Sequence, residues 1–412
     1  MLHKILELIG FCLGGIFLSI GCNEVLLRFS KSLGIRNNND IVIRWSNESK
    51  PSLGGVSFFI VFLFSSIVYS IIYYEKNIFH DFQFVGLVLA GSIAFLMGLA
   101  DDAYNTRPFA KLGVQILCGV VFIWTGTTLD LFHNPYLDGA VTIIWVIGIM
   151  NSLNMLDNMD GITGTTVFFI LVACLFSSWI IFGSSIFNSE SHIWTISLVA
   201  MIGAIIGFLK YNINPSKLFM GDAGSQFIGL FVAFFSIKFL WNVGAQSSHS
   251  SWLGIIITLI AFTPAAADTF TVVINRLKKG QSPMVGGKDH TTHHLVYAGY
   301  KDKTVWYIFT AIGLISCVLA ISMVDLLKHN IKVTALHPGA VETEFSLVRF
   351  KGEKEKADAV YNNYTPLIAA NVAETVFYCT NLPTHVCINE LVLTCTQQAN
   401  SYYIHKNQSI VK

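Results

Sequence analysis

Charge is what this sequence is short of. Asp, Glu, Lys and Arg make up 12% of its 412 residues, about half of the roughly 25% found in a soluble domain. The outer surface must therefore be apolar over large areas. With 53% hydrophobic residues, the surroundings that suit it are lipid. A net charge of +1 gives no bulk attraction for nucleic acid, and no nucleic-acid partner is expected. The eight cysteines form no C-x-x-C pair. Several stand in apolar runs, where Cys behaves as a small hydrophobe, so neither a disulfide framework nor a zinc site is expected. The first apolar run lacks a basic leader and an A-x-A cleavage site, which reads as a retained span rather than a signal peptide. No internal repeat is visible.

What is present is a succession of long apolar runs. A spanning helix needs about 20 mostly apolar residues. Ten runs approach that length, near 5–27, 53–74, 83–100, 112–128, 139–156, 164–183, 193–209, 224–242, 252–274 and 304–324. The fold class expected is therefore an all-α polytopic membrane protein of about ten transmembrane helices. The loops between the runs alternate in charge. One set holds Lys31, Arg36, Arg44 and Lys50, then Arg107 and Lys111, then Lys210 and Lys217, then six more bases from Arg276 to Lys303; the other holds Lys76 and almost nothing else. By the positive-inside rule the basic set is cytoplasmic, and both the N-terminus and the end of the tenth run lie outside.

The unusual polar residues share the basic face. Carboxylates at the ends of membrane runs are costly to desolvate and tend to be functional. Any one of them is as readily a solvated helix end; five clusters on one face are not. Asp101-Asp102 is a carboxylate pair that calls for a cation or a shared proton at a low-dielectric helix end. Asn154, Asp157 and Asp160 in NSLNMLDNMDG (151–161) are spaced by three and would share one side of a helix. Gly161 and Gly164 allow a tight turn after them. An amide and two carboxylates on one edge suit Mg²⁺ and a nucleotide, against the plainer reading of a capped helix end. Asp222 stands between glycines in KLFMGDAGS (217–225), where the start of the next helix favours phosphate, although Asp as an ordinary helix cap is common. GGKDHTTHH (286–294) lies in the most basic loop, and its lysines and histidines would neutralise a pyrophosphate. Its three histidines would also suit a transition metal, but the neighbouring hard oxygens favour Mg²⁺. Pro51-Ser-Leu-Gly54-Gly55 alone is only a turn signal.

Together these parts describe phosphoryl transfer between a soluble nucleotide and a lipid acceptor. Residues 1 to about 324 resemble the polyprenyl-phosphate N-acetylhexosamine-1-phosphate transferases. KPSLGG (50–55), GLADD (98–102), NSLNMLDNMDG (151–161), FMGDAGS (219–225) and HTTHH (290–294) stand in that family's order. NRLKKGQSP (275–283), led by Asp268, resembles the segment before its histidine loop. The combination is specific where each motif alone is not.

The resemblance implies ten or eleven helices, a UDP-sugar donor, UMP as the leaving product, and Mg²⁺ with Mn²⁺ as a substitute. It implies metal contacts from Asn154 and Asp222. Asp101 would deprotonate or orient the lipid phosphate, with Asp102 beside it among the catalytic groups. Asp157 would sit at a position once proposed as a nucleophile, which leaves one-step and covalent routes both open. Asp160 would lie on the nucleotide side, His293 and His294 near the diphosphate, and Lys111, His290 and Asn151 with the substrates. The H-x-x-HH form, with no acid soon after it, resembles the branch that uses UDP-N-acetylglucosamine and undecaprenyl phosphate, in a first membrane step of cell-wall or lipopolysaccharide synthesis. The alternative is the pentapeptide-transferring branch of peptidoglycan synthesis. The implied location is the bacterial inner membrane, with the active site on its cytoplasmic face; a homodimer is left open. A transporter would place its charges near the bilayer midplane on broken helices, unlike these run ends.

From about 325 the composition changes. IKVTALHPGAVETEF (331–345) and the segments up to 398 resemble the late strand and cofactor loop of short-chain dehydrogenases. That family's glycine-rich turn, catalytic Ser and Y-x-x-x-K are missing upstream. Residues 325–412 are therefore expected to be a small α/β-like, truncated fragment, neither binding NADP tightly nor transferring hydride, with strands that lack their partners.

Overall fold

The computed structural model describes residues 2–29, 50–74, 77–183, 192–243, 252–282, 287–328, 334–383, 386–398 and 403–405. Of the loop bases invoked above, Lys31, Arg36, Arg44 and Lys76 lie outside the described residues, as do Pro283 and Gly286 of the loop motifs. The chain divides into two units, Met1–His329 and Asn330–Lys412.

The first unit is helical. Its long elements are α1 (Leu2–Phe29), α2 (Val56–Ile72), α3 (Phe82–Tyr104), α4 (Pro108–Trp124), α5 (Pro135–Leu156), α6 (Ile162–Phe182), α7 (His192–Asn212) and α8 (Gly221–Ser236), which runs on into a π-helical turn, Ile237–Trp241. They are followed by α9 (Trp252–Ala261), α10 (Thr263–Lys278), the short α11 (Thr291–Tyr297) and α12 (Asp302–Lys328). The helix starts have local causes. The Asp81 side chain accepts from the Gln83 and Phe84 amides and opens α3. Asn134 does the same for Tyr136 and Leu137, with Pro135 in the first turn of α5, where its missing N–H is harmless.

The core centres on α8, which is buried along its length beyond Asp222. Phe227, Phe231, Phe234 and Phe235 pack there with Phe62 of α2, Phe122 of α4 and Trp194 of α7. A helix apolar on all sides has to be enclosed by others, and α8 is the hub around which the bundle forms.

Of about ten expected spans, the structure bears out the coarser reading of a mostly helical, membrane-spanning unit. Among the described residues, seven helices are long and apolar enough to cross a membrane, eight if α9 and α10 count as one. The runs at 53–74 and 112–128 yield helices of only 17 residues, α2 and α4. The run at 252–274 breaks: α9 and α10 meet at an angle of 85°. Pro264 stands in the first turn of α10. Proline is suited to starting a helix and unsuited to continuing one.

Among its described residues the second unit holds four strands of two to four residues and three short helices. β1 (Ala335–Pro338) pairs parallel with β4 (Glu390–Leu393), and β2 (Val341–Glu342) pairs parallel with β3 (Leu367–Ile368). The helices are α13 (Phe345–Arg349), α14 (Lys354–Ala359) and α15 (Ala369–Thr380). Its buried cluster is Tyr364, Leu367 and Cys395. Two separate strand pairs fall short of the single sheet that an α/β fragment calls for.

Candidate active site

One cavity of about 1130 Å³ opens among the helix ends that carry the acidic motifs. Its first wall is α3 and the start of α4. The adjacent carboxylates of α3 part company there. Asp101, 3% exposed, accepts from the Thr106 amide at 2.8 Å and its hydroxyl at 2.6 Å, and forms an ion pair with Lys111 of α4. Asp102 turns towards α8, where its two oxygens accept from the Asp222 amide at 3.0 Å and the Ala223 amide at 2.9 Å. Asp102 thus satisfies helix-start amides that have no partner within α8 itself.

The second wall is α8 with the end of α5. Gly221, at φ +78°, lets the backbone turn sharply before Asp222. The Asp222 carboxylate lies 3.8 Å from the Lys111 ammonium and accepts from the Asn154 amide at 2.5 Å; Asn154 also donates to the Ser225 hydroxyl at 2.8 Å. Behind them Asn151 and Gln115 exchange two amide hydrogen bonds, and Gln115 also donates to Gln226.

The triad 154, 157 and 160 does not share a helix side as its spacing suggested. α5 ends at Leu156, Asp157 is the residue that caps it, and Asp160 lies in the turn before α6. Asp157 reaches the cavity, but the surrounding protein desolvates it. That burial raises its carboxyl to about 7, with Asp102 and Asp160 adding to the rise. Asp160 is engaged with its own surroundings: it accepts from the Ser216 amide and hydroxyl and from Asn214.

The third wall is the histidine helix α11. His290 and His293 line the cavity, and their rings meet edge to face at 5.2 Å. Burial, with His290 nearby, pushes the His293 imidazole down to about 4, so it is neutral at physiological pH. His294 is not brought to the cavity. It is exposed and packs against Tyr297, because one residue on a helix turns a side chain by about 100°. Arg276 makes a two-pronged pair with Asp289 at 2.8 and 2.9 Å and holds that carboxyl below its usual range.

Ten of the eleven expected site residues therefore line one cavity. Sequence reasoning passed over Gln115 and Gln226, whose signal was an amide inside an apolar run, and the task of 50–55. Gly54 and Gly55 donate to the Phe219 and Met220 carbonyls at 2.9 and 2.8 Å, and the Phe219 amide returns a bond to Pro51. The turn is a backbone clamp on the loop that presents Asp222.

Among the described residues no three His, Cys, Asp or Glu side chains form a metal site by themselves. Mg²⁺ commonly takes one or two protein ligands and completes its shell with water and substrate phosphate. Asp222 and Asn154, hard oxygen donors hydrogen-bonded to one another, fit that pattern.

Residues 84–240 match the family model described as glycosyl transferase family 4. The matched segment holds both walls that carry Asp101, Asn154 and Asp222. The chain is 27% identical over 281 residues to a Bacillus subtilis (strain 168) protein named probable undecaprenyl-phosphate N-acetylglucosaminyl 1-phosphate transferase, covering 66% of this chain and 72% of that one. It is 28% identical over 222 residues to the phospho-N-acetylmuramoyl-pentapeptide-transferase of Streptococcus agalactiae serotype Ia, covering 50% of this chain and 64% of the relative. The C-terminal part is different: 77 residues are 47% identical to an uncharacterized oxidoreductase of Mycobacterium tuberculosis (strain CDC 1551 / Oshkosh), and they span 31% of that protein.

Proposed function

We propose that the membrane unit transfers N-acetylglucosamine-1-phosphate from UDP-N-acetylglucosamine to undecaprenyl phosphate and releases UMP. The observation that carries this reading is the gathering of Asp101, Asp102, Asn154, Asp157 and Asp222 with Lys111 and two histidines around one cavity at the helix ends. The choice of sugar leans on the H-x-x-HH spacing; the pentapeptide donor is the competing substrate.

Lys111, held between Asp101 and Asp222, offers an ammonium to a phosphate oxygen. Asp101, fixed by Thr106, orients the lipid phosphate through that lysine. Asp157, whose carboxyl burial raises, is placed in the cavity to exchange a proton as the acceptor phosphate binds. Asp160 keeps the 214–216 turn beside the nucleotide. Asp222 and Asn154 would hold Mg²⁺, which, when bound, neutralises the diphosphate charge and favours departure of UMP. The location we infer is the bacterial inner membrane with the cavity facing the cytoplasm. In the same reading residues 330–412 take no part in the chemistry and transfer no hydride.

The test is UMP release from membranes given UDP-N-acetylglucosamine, undecaprenyl phosphate and Mg²⁺. Release above background that disappears in Asp222→Asn is expected; equal release from that variant would overturn the assignment. The pentapeptide donor run in parallel decides between the two branches.

A further inference from the structure

Asp268 is buried to 0% exposure on α10, beyond the 85° break between α9 and α10. A carboxylate in such a place must be fully hydrogen-bonded. Both its oxygens reach α11. Oδ1 accepts from the Thr291 amide at 2.8 Å, in the first turn of that helix, and Oδ2 meets His290 Nδ1 at 2.8 Å. A carboxylate only accepts, so the proton in this contact sits on Nδ1. The other nitrogen, Nε2, is then the ring's working atom, on a side chain that lines the cavity. His293 is the packing partner of that ring, and His294 is outside the cavity. A second bond fixes the same helix from another wall: the Thr292 hydroxyl donates to Asn158 at 2.6 Å.

Resting on the transferase reading, we propose that Asp268 is a positioning residue that locks His290 in one orientation and one tautomer. His290 Nε2 is thereby the atom that the histidine loop presents to the donor diphosphate, and His293 and His294 serve the packing of α11. The break between α9 and α10 is what brings an acid from a membrane helix under this loop.

The substitution Asp268→Asn isolates the claim. Its amide oxygen still accepts from Thr291, and its volume is nearly unchanged. Its NH₂ group, however, would donate to Nδ1 and drive the ring proton to Nε2, the wrong tautomer. UMP release is measured on purified full-length chain, with kcat and KM for the UDP-sugar and a melting temperature for each variant. Wild type without UMP release sinks the transferase reading, and this one with it, before any variant is made. With an active wild type, Asp268→Asn is expected to lose about 10- to 100-fold in kcat, with KM within about threefold. His290→Gln should lose at least as much, and the double variant should be no worse than His290→Gln alone. Asp268→Glu, which keeps an acceptor for Nδ1, should recover more activity than Asn at equal amounts of folded protein. The proposal is overturned if Asp268→Asn stays within about threefold of wild type, if the two losses multiply, or if Glu is no better than Asn.

Discussion

At the scale of single residues, the site works by dividing labour among side chains of one type. Of five carboxylates, one is tied to Lys111, one caps α8, one faces Asn154, one holds a turn, and one is left in a desolvated position. Two consequences can be measured. Replacing Lys111 with Met removes the cation between Asp101 and Asp222, so two carboxylates face the anionic substrates unneutralised. The expected loss in kcat/KM is on the order of a hundredfold, read from UMP release at matched expression. Asp157 gives a pH signature. Its carboxyl is raised from 3.8 to about 7, so between those values the folded state keeps a proton that the unfolded chain releases. Stability therefore falls as pH rises across that window and is flat above it. The melting temperature of detergent-solubilised wild type should drop between pH 5 and 7, and Asp157→Asn should flatten that drop. Parallel curves would place the titration elsewhere.

At the scale of elements, the seven longer membrane helices were legible because they are long and apolar, and membrane burial demands little else. The break at Phe262 was not, since the run around it is apolar on both sides; Pro264 was its one mark. The site was legible as a set of residues but not as a set of contacts. Asp102 and the Asp222 amide lie 120 positions apart, and nothing local says that one helix caps another. The spacing 154, 157, 160 misled because a helix was assumed to continue where Asp157 ends it. The same reasoning explains why 50–55 read as a mere turn, since its partners lie beyond 218. In that clamp Gly55 faces Gly224 so closely that any Cβ on it would overlap the Gly224 backbone. Gly55→Val should give little folded protein and no UMP release, checked by size exclusion in detergent; a well-folded, active variant would contradict the clamp. Asp102→Ala should cost about 0.5–2 kcal/mol of stability, as for other lost helix caps, seen as a lowered melting temperature.

At the scale of the whole molecule, two units of unlike character share one chain. The first has a continuous buried core around α8; the second, among its described residues, has a buried cluster of three side chains and two short strand pairs. The length of the oxidoreductase likeness, 31% of that relative, accounts for this. Parallel strands depend on neighbours that this segment does not supply among the described residues. A chain ending at His329 is expected to keep UMP release within about twofold of the full chain, as for the removal of a unit with its own separate core. A larger loss would show that the second unit serves the first.

The two 17-residue helices bear on more than the count of spans. At 1.5 Å per residue α2 and α4 are about 25 Å long, against an acyl layer of about 30 Å. Both begin at the cavity, one just after the Gly54–Gly55 clamp and the other just before Lys111. Lipid beside them must compress, or the flanking side chains must reach, to close a gap of several ångströms. Under the proposed reading, the acceptor's phosphate would then meet Lys111 without climbing to the full height of the surrounding leaflet. Reconstituted in phosphatidylcholine of 14, 16, 18 and 20 carbons, the protein should turn over fastest in the shorter chains, and its rate becomes a gauge of bilayer thickness.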